Sequence, residues 1–224
     1  MTTANTHSTN VRTITPAHPE WPAEQIARLP EAERPAMLWL NGPLLLTEAL
    51  ARSVAITGAR ACTPYGCYVA GDFARGFTEQ GWTTLAGGAL GIDEAAHSGA
   101  LAAGGRTVAV LSCGIDMTYP RANARLLEQI RTTGLLVSAH RPGTHPSRST
   151  FRGRARLLAA LGRAAVIVES ANAAKSEEIG EVAAALYAVP GPLTSQLSMG
   201  TNRLLAAGAR PALTTAGIIA DLAP

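Results

Sequence analysis

Two glycine-bearing turns hold the residues of this chain best suited to contact a ligand. Gly58-Ala59-Arg60 follows the apolar run Ser53-Val54-Ala55-Ile56-Thr57, and Gly87-Gly88-Ala89-Leu90-Gly91-Ile92-Asp93 follows Thr83-Thr84-Leu85-Ala86. Small residues let a backbone approach a phosphate closely, and the amides and dipole of a helix just downstream attract the anion. Arg60 adds a guanidinium able to form a two-pronged, charge-assisted hydrogen bond. Neither turn has the Gly-x-Gly-x-x-Gly spacing of a dinucleotide site. Asp93 is expected to cap the helix that starts there. His97 lies one turn further on, with no Ser, Cys or metal partner at a useful spacing, and reads as a helix-packing histidine rather than a base. Cys62, Cys67 and Cys113 are odd in number and contain no Cys-x-x-Cys pair, so neither a disulfide framework nor a zinc site is expected.

The elements that must position these turns alternate regularly. Strands are expected over 53–57, 83–86, 107–112, 135–139, 165–168 and 187–189, with a last one over 211–214. Between them the spacing predicts helices over 65–80, 93–103, 122–132 and 177–186, one ending near Leu161, and one through Leu204-Leu205. Such alternation implies right-handed crossovers and a Rossmann-like α/β fold: a doubly wound, mainly parallel sheet with helices on both faces. Ligands then bind beyond the carboxyl ends of the strands, where both turns lie. Residues 1–20 are polar, Thr-rich and expected to be a disordered tail. Residues 21–52 are expected to form a short lead-in or cap, with helical pieces at 24–29 and 47–51 and a strand near Leu38-Trp39-Leu40, before a main domain over 53–224.

Composition agrees. Hydrophobic residues make up 47% of the 224 and aromatics only 4%, so the core must be built from Ala, Val, Leu and Ile, as a parallel sheet packed by helices requires. The first residues lack the basic start and apolar stretch of a secretory signal, and the longest apolar runs are too short to span a bilayer, which points to a cytoplasmic protein without a membrane partner. The net charge of +3 is unevenly spread. Between Glu128 and Glu169 there is no acid but there are seven arginines (131, 141, 148, 152, 154, 156 and 163), so the rest of the chain is net negative. One cationic region on a mildly acidic molecule suggests a polyanionic partner such as nucleic acid or a nucleotide.

Many ordered segments resemble one family. They include Ser53 to Arg60, Thr63-Pro64-Tyr65-Gly66, Gly87 to Asp93 with Ala95-Ala96-His97, and Gly99-Ala100-Leu101. Further on come Thr107 to Leu111 with Cys113-Gly114, Tyr119-Pro120, Gly134 to Ser138, Ala188-Val189-Pro190-Gly191 and Gly200-Thr201-Asn202. From about Trp21 to Leu222 the chain is similar to the DNA-processing protein A family, DprA or Smf. The resemblance implies a non-enzymatic, dimeric protein that binds single-stranded DNA and loads a RecA-type recombinase, with no cofactor, no metal and no catalytic residue.

It also implies a phosphate-binding set: Gly58, Ala59, Arg60, Gly87, Gly88, Gly91, Ile92, Asp93, Arg152, Arg154, Arg156, Lys175 and Asn202. Alternate arginines entering a helix at Phe151-Arg152-Gly153-Arg154-Ala155-Arg156 are expected to set a row of positive charge beside the pocket, giving affinity without sequence preference. There are departures. Ala155 stands where the family usually has Asn, Ala59 where it usually has Ser, and the family's Ser-Gly-Ser segment is replaced by Lys175-Ser176-Glu177-Glu178-Ile179-Gly180, whose two acids would weaken an anion site. Neither the winged-helix nor the N-terminal helical domain of many relatives is expected. A second reading is a nucleotide sensor or a LOG-like nucleotide-processing enzyme of the same fold, although Pro190-Gly191-Pro192 does not continue into the Pro-Gly-Gly-x-Gly-Thr-x-x-Glu motif of those enzymes.

Overall fold

Each short run of Val, Ile, Leu and Ala becomes a strand buried on both sides, and each connection carries a helix back across the sheet. A computed structural model describes residues 11–223. In chain order the elements are β1 (Val11–Ile14), α1 (Ala23–Ala27), β2 (Leu38–Asn41), α2 (Leu46–Ala51), β3 (Ser53–Thr57) and α3 (Pro64–Glu79). Then come β4 (Thr83–Gly87), α4 (Ile92–Ala102), β5 (Thr107–Leu111), α5 (Ala124–Thr133), β6 (Leu135–Ser138) and α6 (Arg148–Leu161). The last are β7 (Ala164–Ile167), α7 (Ala173–Gly180), β8 (Leu186–Ala188), α8 (Met199–Ala206), β9 (Arg210–Pro211) and α9 (Thr215–Asp221).

These strands form one sheet in the order β1-β2-β6-β5-β4-β3-β7-β8-β9. All neighbouring pairs from β6 to β9 are parallel, while β1 on β2 and β2 on β6 are antiparallel. Alternate residues of a strand serve opposite faces. Val54, Ile56 and Val166 pack with Phe73 and Phe77 of α3, whereas Ala55, Leu85 and Val108 pack with Leu157, Leu158 and Leu161 of α6. Helices α3, α4, α5 and α9 thus cover one face, and α1, α2, α6, α7 and α8 the other. The doubly wound, mainly parallel architecture expected from the alternation is the one observed.

The ends of the chain depart from expectation. Of the segment expected to be a disordered tail, residues 1–10 lie outside the described residues, but 11–20 are built into the fold. Ile14 is fully buried, and Arg12 holds β1 down by pairing with Glu20 at 3.0 Å and donating to the carbonyls of Gly42 and Leu44. The expected lead-in is likewise no appended cap, because β2 sits inside the sheet between β1 and β6. Helix α7 begins four residues earlier than the pattern suggests, since the Asn172 side chain accepts from the Lys175 amide and caps it. The last strand is only Arg210–Pro211, and Thr214 caps the short α9 instead of ending a strand. Cys62 and Cys67 are joined as a disulfide, contrary to the expectation of none, because the first turn of α3 brings Cys67 back over the preceding loop.

Candidate functional site

Strand order reverses at β3, which has β4 on one side and β7 on the other. At such a switch point the connections leave in opposite directions and open a crevice beyond the carboxyl ends of the strands. Here the crevice is a small cavity of about 30 Å³ lined by Gly58, Arg60, Asp93, Arg154, Lys175 and Ser176 among others. A water-sized group needs roughly 10–15 Å³ by this measure, so the cavity admits the head of an anion but not a nucleotide. Arg60 and Lys175 also line a larger groove of about 580 Å³ beside α6 and α7, together with Arg148, Phe151, Arg152 and Asn172. A polymer has room there.

Asp93 organises the floor of the cavity. It does not cap α4; that position is Gly91, whose φ of +81° brings the chain round sharply. Asp93 instead lies in the first turn, buried, where Thr57 Oγ1 and Arg154 Nη1 each donate to it at 2.8 Å. Arg154 reaches the carboxylate across Gly87, where any Cβ would overlap the guanidinium. Arg154 is therefore a buried partner in a fixed ion pair that presents part of its positive edge to the cavity, not a solvated arginine.

The other expected contacts divide. Gly58 and Arg60 line the cavity, and the Arg60 guanidinium lies over the Phe151 ring, 4.1 Å from its centroid. The Ala59 carbonyl takes the Ile92 amide at 3.1 Å, and the Ile92 side chain is core, so neither faces a ligand. Gly88 points its carbonyl to Asn123 Nδ2 at 3.1 Å. Nor does the start of α3 await a phosphate. The buried Glu169 carboxylate already sits there, accepting from the Thr63 amide at 2.9 Å and the Thr63 hydroxyl at 2.6 Å.

The expected arginine row is broken by helical geometry. Residues two apart on a helix point about 200° apart. Arg154 turns into the crevice, while Arg156 leaves the helix on the other side, where it borders the groove but is buried and donates to Glu33 at 2.7 Å, Glu181 at 2.9 Å and the Glu178 carbonyl at 2.8 Å. Arg152 is exposed and paired with Glu178 at 2.9 Å. That pair and the Arg203–Glu177 pair at 2.9 Å occupy the two acids of α7 that the sequence sets near the pocket. Asn202 is elsewhere. Both ends of its amide bond the Gly191 backbone, at 2.9 and 3.2 Å, and hold the 190s loop.

Among the described residues Arg60, Arg148 and Lys175 form no ion pair, and they are the charges the site can offer. Lys175 is exposed overall, yet desolvation first, then the charges of Arg154 and Arg60, hold its ammonium below the ordinary lysine value. An anion entering between these three cations relieves their repulsion. His97, by contrast, is sealed in the core with Nδ1 on Thr107 Oγ1 at 2.8 Å and Nε2 on the Gly87 carbonyl at 2.9 Å, and burial pushes its pKa down to about 4. It packs a helix, as its isolation in the sequence suggested.

Phe151 is a site residue that reading by charge alone passes over, and Arg148, one of the seven arginines of the acid-free stretch, lines the groove beside it. Phe151 contacts the Tyr119 ring at 5.9 Å between centroids and, with Arg60, forms an aromatic and cationic wall of the groove. Its position three residues before the crevice arginine, on the entering turn of α6, was the available signal.

Comparison with known proteins shows the family and the fold. A Mycobacterium tuberculosis protein bearing the DprA name is 42% identical over 213 residues, which cover 88% of this chain and 54% of that protein. The chain thus spans about half the length of that relative. The X-ray structure of DNA processing protein A from Streptococcus pneumoniae superposes with a TM-score of 0.84 at 29% identity, covering 94% of this chain and 74% of that one. A Helicobacter pylori DNA processing protein A, described for its single-stranded DNA binding mode, gives 0.82 at 26% identity and covers 96% of both chains. Residues 12–223, from the edge strand to the last helix, match the model of DNA recombination-mediator protein A, and the chain belongs to that family, DprA/Smf.

Proposed function

We propose that this chain binds single-stranded DNA along the groove beside α6 and α7, without catalysis and without sequence preference, and presents it to a RecA-type recombinase. The observation that carries the reading is the pairing of unneutralised Arg60 and Lys175 with the Phe151 ring at the mouth of the switch-point cavity. Cations that meet phosphates and a ring that stacks on any base are what sequence-tolerant single-strand binding requires. The cavity takes one phosphate edge and the groove takes the neighbouring nucleotides. The description of the Helicobacter relative and the recombination-mediator family support the same ligand and the hand-over step. We place the protein in the cytoplasm as a homodimer on the strength of that family membership. No helix among the described residues is long and apolar enough to cross a membrane, and none of their His, Cys, Asp and Glu side chains cluster in a way that could hold a metal ion.

The test is a titration with labelled oligo-dT of increasing length beside free mononucleotides. Affinity that grows with length until the groove is filled, and falls with salt, supports the reading. Saturable binding or turnover of a mononucleotide with oligo-dT ignored would favour the nucleotide-sensing or LOG-like alternative.

A further inference from the structure

We propose that Lys175 is an acylation site, modified by acyl phosphates whose phosphate seats between Arg60 and Arg154. Lys175 is the only lysine in the chain, where every other basic side chain is arginine or histidine. Arginine stays protonated and is a poor acceptor at neutral pH, whereas lysine is the residue that acylating agents modify. The one lysine lines the switch-point cavity together with Arg60 and Arg154, on an exposed turn of α7 whose start Asn172 fixes.

The charges around it favour the chemistry. Arg60 on the loop after β3 and Arg154 on α6 are positive, while Asp93 on α4 is tied to Arg154 and Glu178 on α7 to Arg152. Desolvation and the two neighbouring guanidiniums favour the neutral amine, the form that attacks a carbonyl. The same guanidiniums attract the phosphate of the reagent, so the cavity both frees the nucleophile and holds the leaving group beside it. In the reaction the amine nitrogen forms a bond to the carbonyl carbon, the carbon–oxygen bond to phosphate breaks, inorganic phosphate departs, and the nitrogen gives one proton to solvent. No oxidant or further reactant is needed. The product is a neutral amide where a cation stood. The effect on DNA rests on the function proposed above; the acylation itself does not.

Acetyl phosphate is the probe. The intact protein is incubated with it near pH 8, sampled over time and mapped by peptide mass spectrometry, with the N-terminal amine counted separately and Lys175→Arg as the blank. Acetylation of Lys175 at least about tenfold faster than that of N-α-acetyl-lysine amide is expected, the margin that docking the phosphate supplies. Arg60→Ala and added inorganic phosphate should each slow it severalfold. A rate no greater than that of the free lysine derivative, or one indifferent to both, overturns the proposal. Oligo-dT is then titrated onto the acetylated protein. Weakened binding shows one site serving both roles. Unchanged binding with rapid, phosphate-sensitive acetylation upholds the modification site and counts against the DNA reading alone.

Discussion

At the scale of single residues, the arginines of this site have different duties that substitution separates. Arg154 is a buried partner of Asp93, so Arg154→Ala leaves a carboxylate in the protein interior without its cation. Breaking a buried pair from one side costs about 3–5 kcal/mol, and the expected outcome in urea denaturation is a loss of that order, with DNA binding lost through instability. Arg60 is exposed and its contact is the Phe151 ring. Arg60→Ala should leave the denaturation midpoint nearly unmoved, within about 1 kcal/mol, while lowering oligo-dT affinity. His97 gives a pH prediction. Its pKa of about 4 in the fold lies below the ordinary value of 6.5, so the unfolded chain binds the proton first. The stabilisation is complete above pH 6.5, is lost as pH falls toward 4, and amounts to about 3 kcal/mol across that window. His97→Asn should flatten the dependence of unfolding free energy on pH over that window; an undiminished slope would assign it to other groups.

At the scale of elements, the site depends on close passage between α4, α6 and the turn after β4. Gly87 lets the Arg154 guanidinium through to Asp93, and Gly87→Ala places a methyl on it. Overpacking of this kind costs about 1–3 kcal/mol, and the variant should lose stability and oligo-dT binding together. Phe151, on the first turn of α6, should act differently. Phe151→Ala removes a stacking platform worth about 1–3 kcal/mol per base, so affinity falls while the salt dependence stays that of the parent protein. The parallel strands were legible because β3, β5 and β7 are continuous apolar runs set between helical patterns. Other elements were not. β1 is four residues carrying an Arg and a Thr, and its place depends on pairing with β2 and on Arg12 reaching Gly42, contacts that no local pattern announces. The row of arginines expected on α6 does not form, because neighbours in sequence are not neighbours on a helix, and Arg154 and Arg156 leave it on opposite sides.

At the scale of the whole molecule, the cationic stretch that stands out in the sequence is largely neutralised by folding. Glu33, Asp93, Glu178 and Glu181 come from distant segments to meet Arg156, Arg154 and Arg152, and Glu128 meets Arg131 from within α5. Gly58, Arg60, Asp93, Arg154 and Lys175, which stand out in the sequence, converge on one cavity from the ends of β3, α4, α6 and α7. The sequence could not show which of those charges remain open, because ion pairing across 61 residues is a property of the tertiary fold. Of that stretch, Arg148 stays unpaired among the described residues beside the switch-point crevice, where Arg60 and Lys175 join it, and the proposal that DNA binds there is most directly tested through salt. Each phosphate neutralised on a single strand contributes about 0.7 to the slope of log affinity against log salt. Oligo-dT binding measured over a salt series should show that slope shallower by about 0.7 in Arg60→Ala and again in Lys175→Ala, and unchanged in Arg156→Lys. A slope that Arg60→Ala and Lys175→Ala leave intact would place the phosphates elsewhere and contradict the assignment of this crevice as the DNA site.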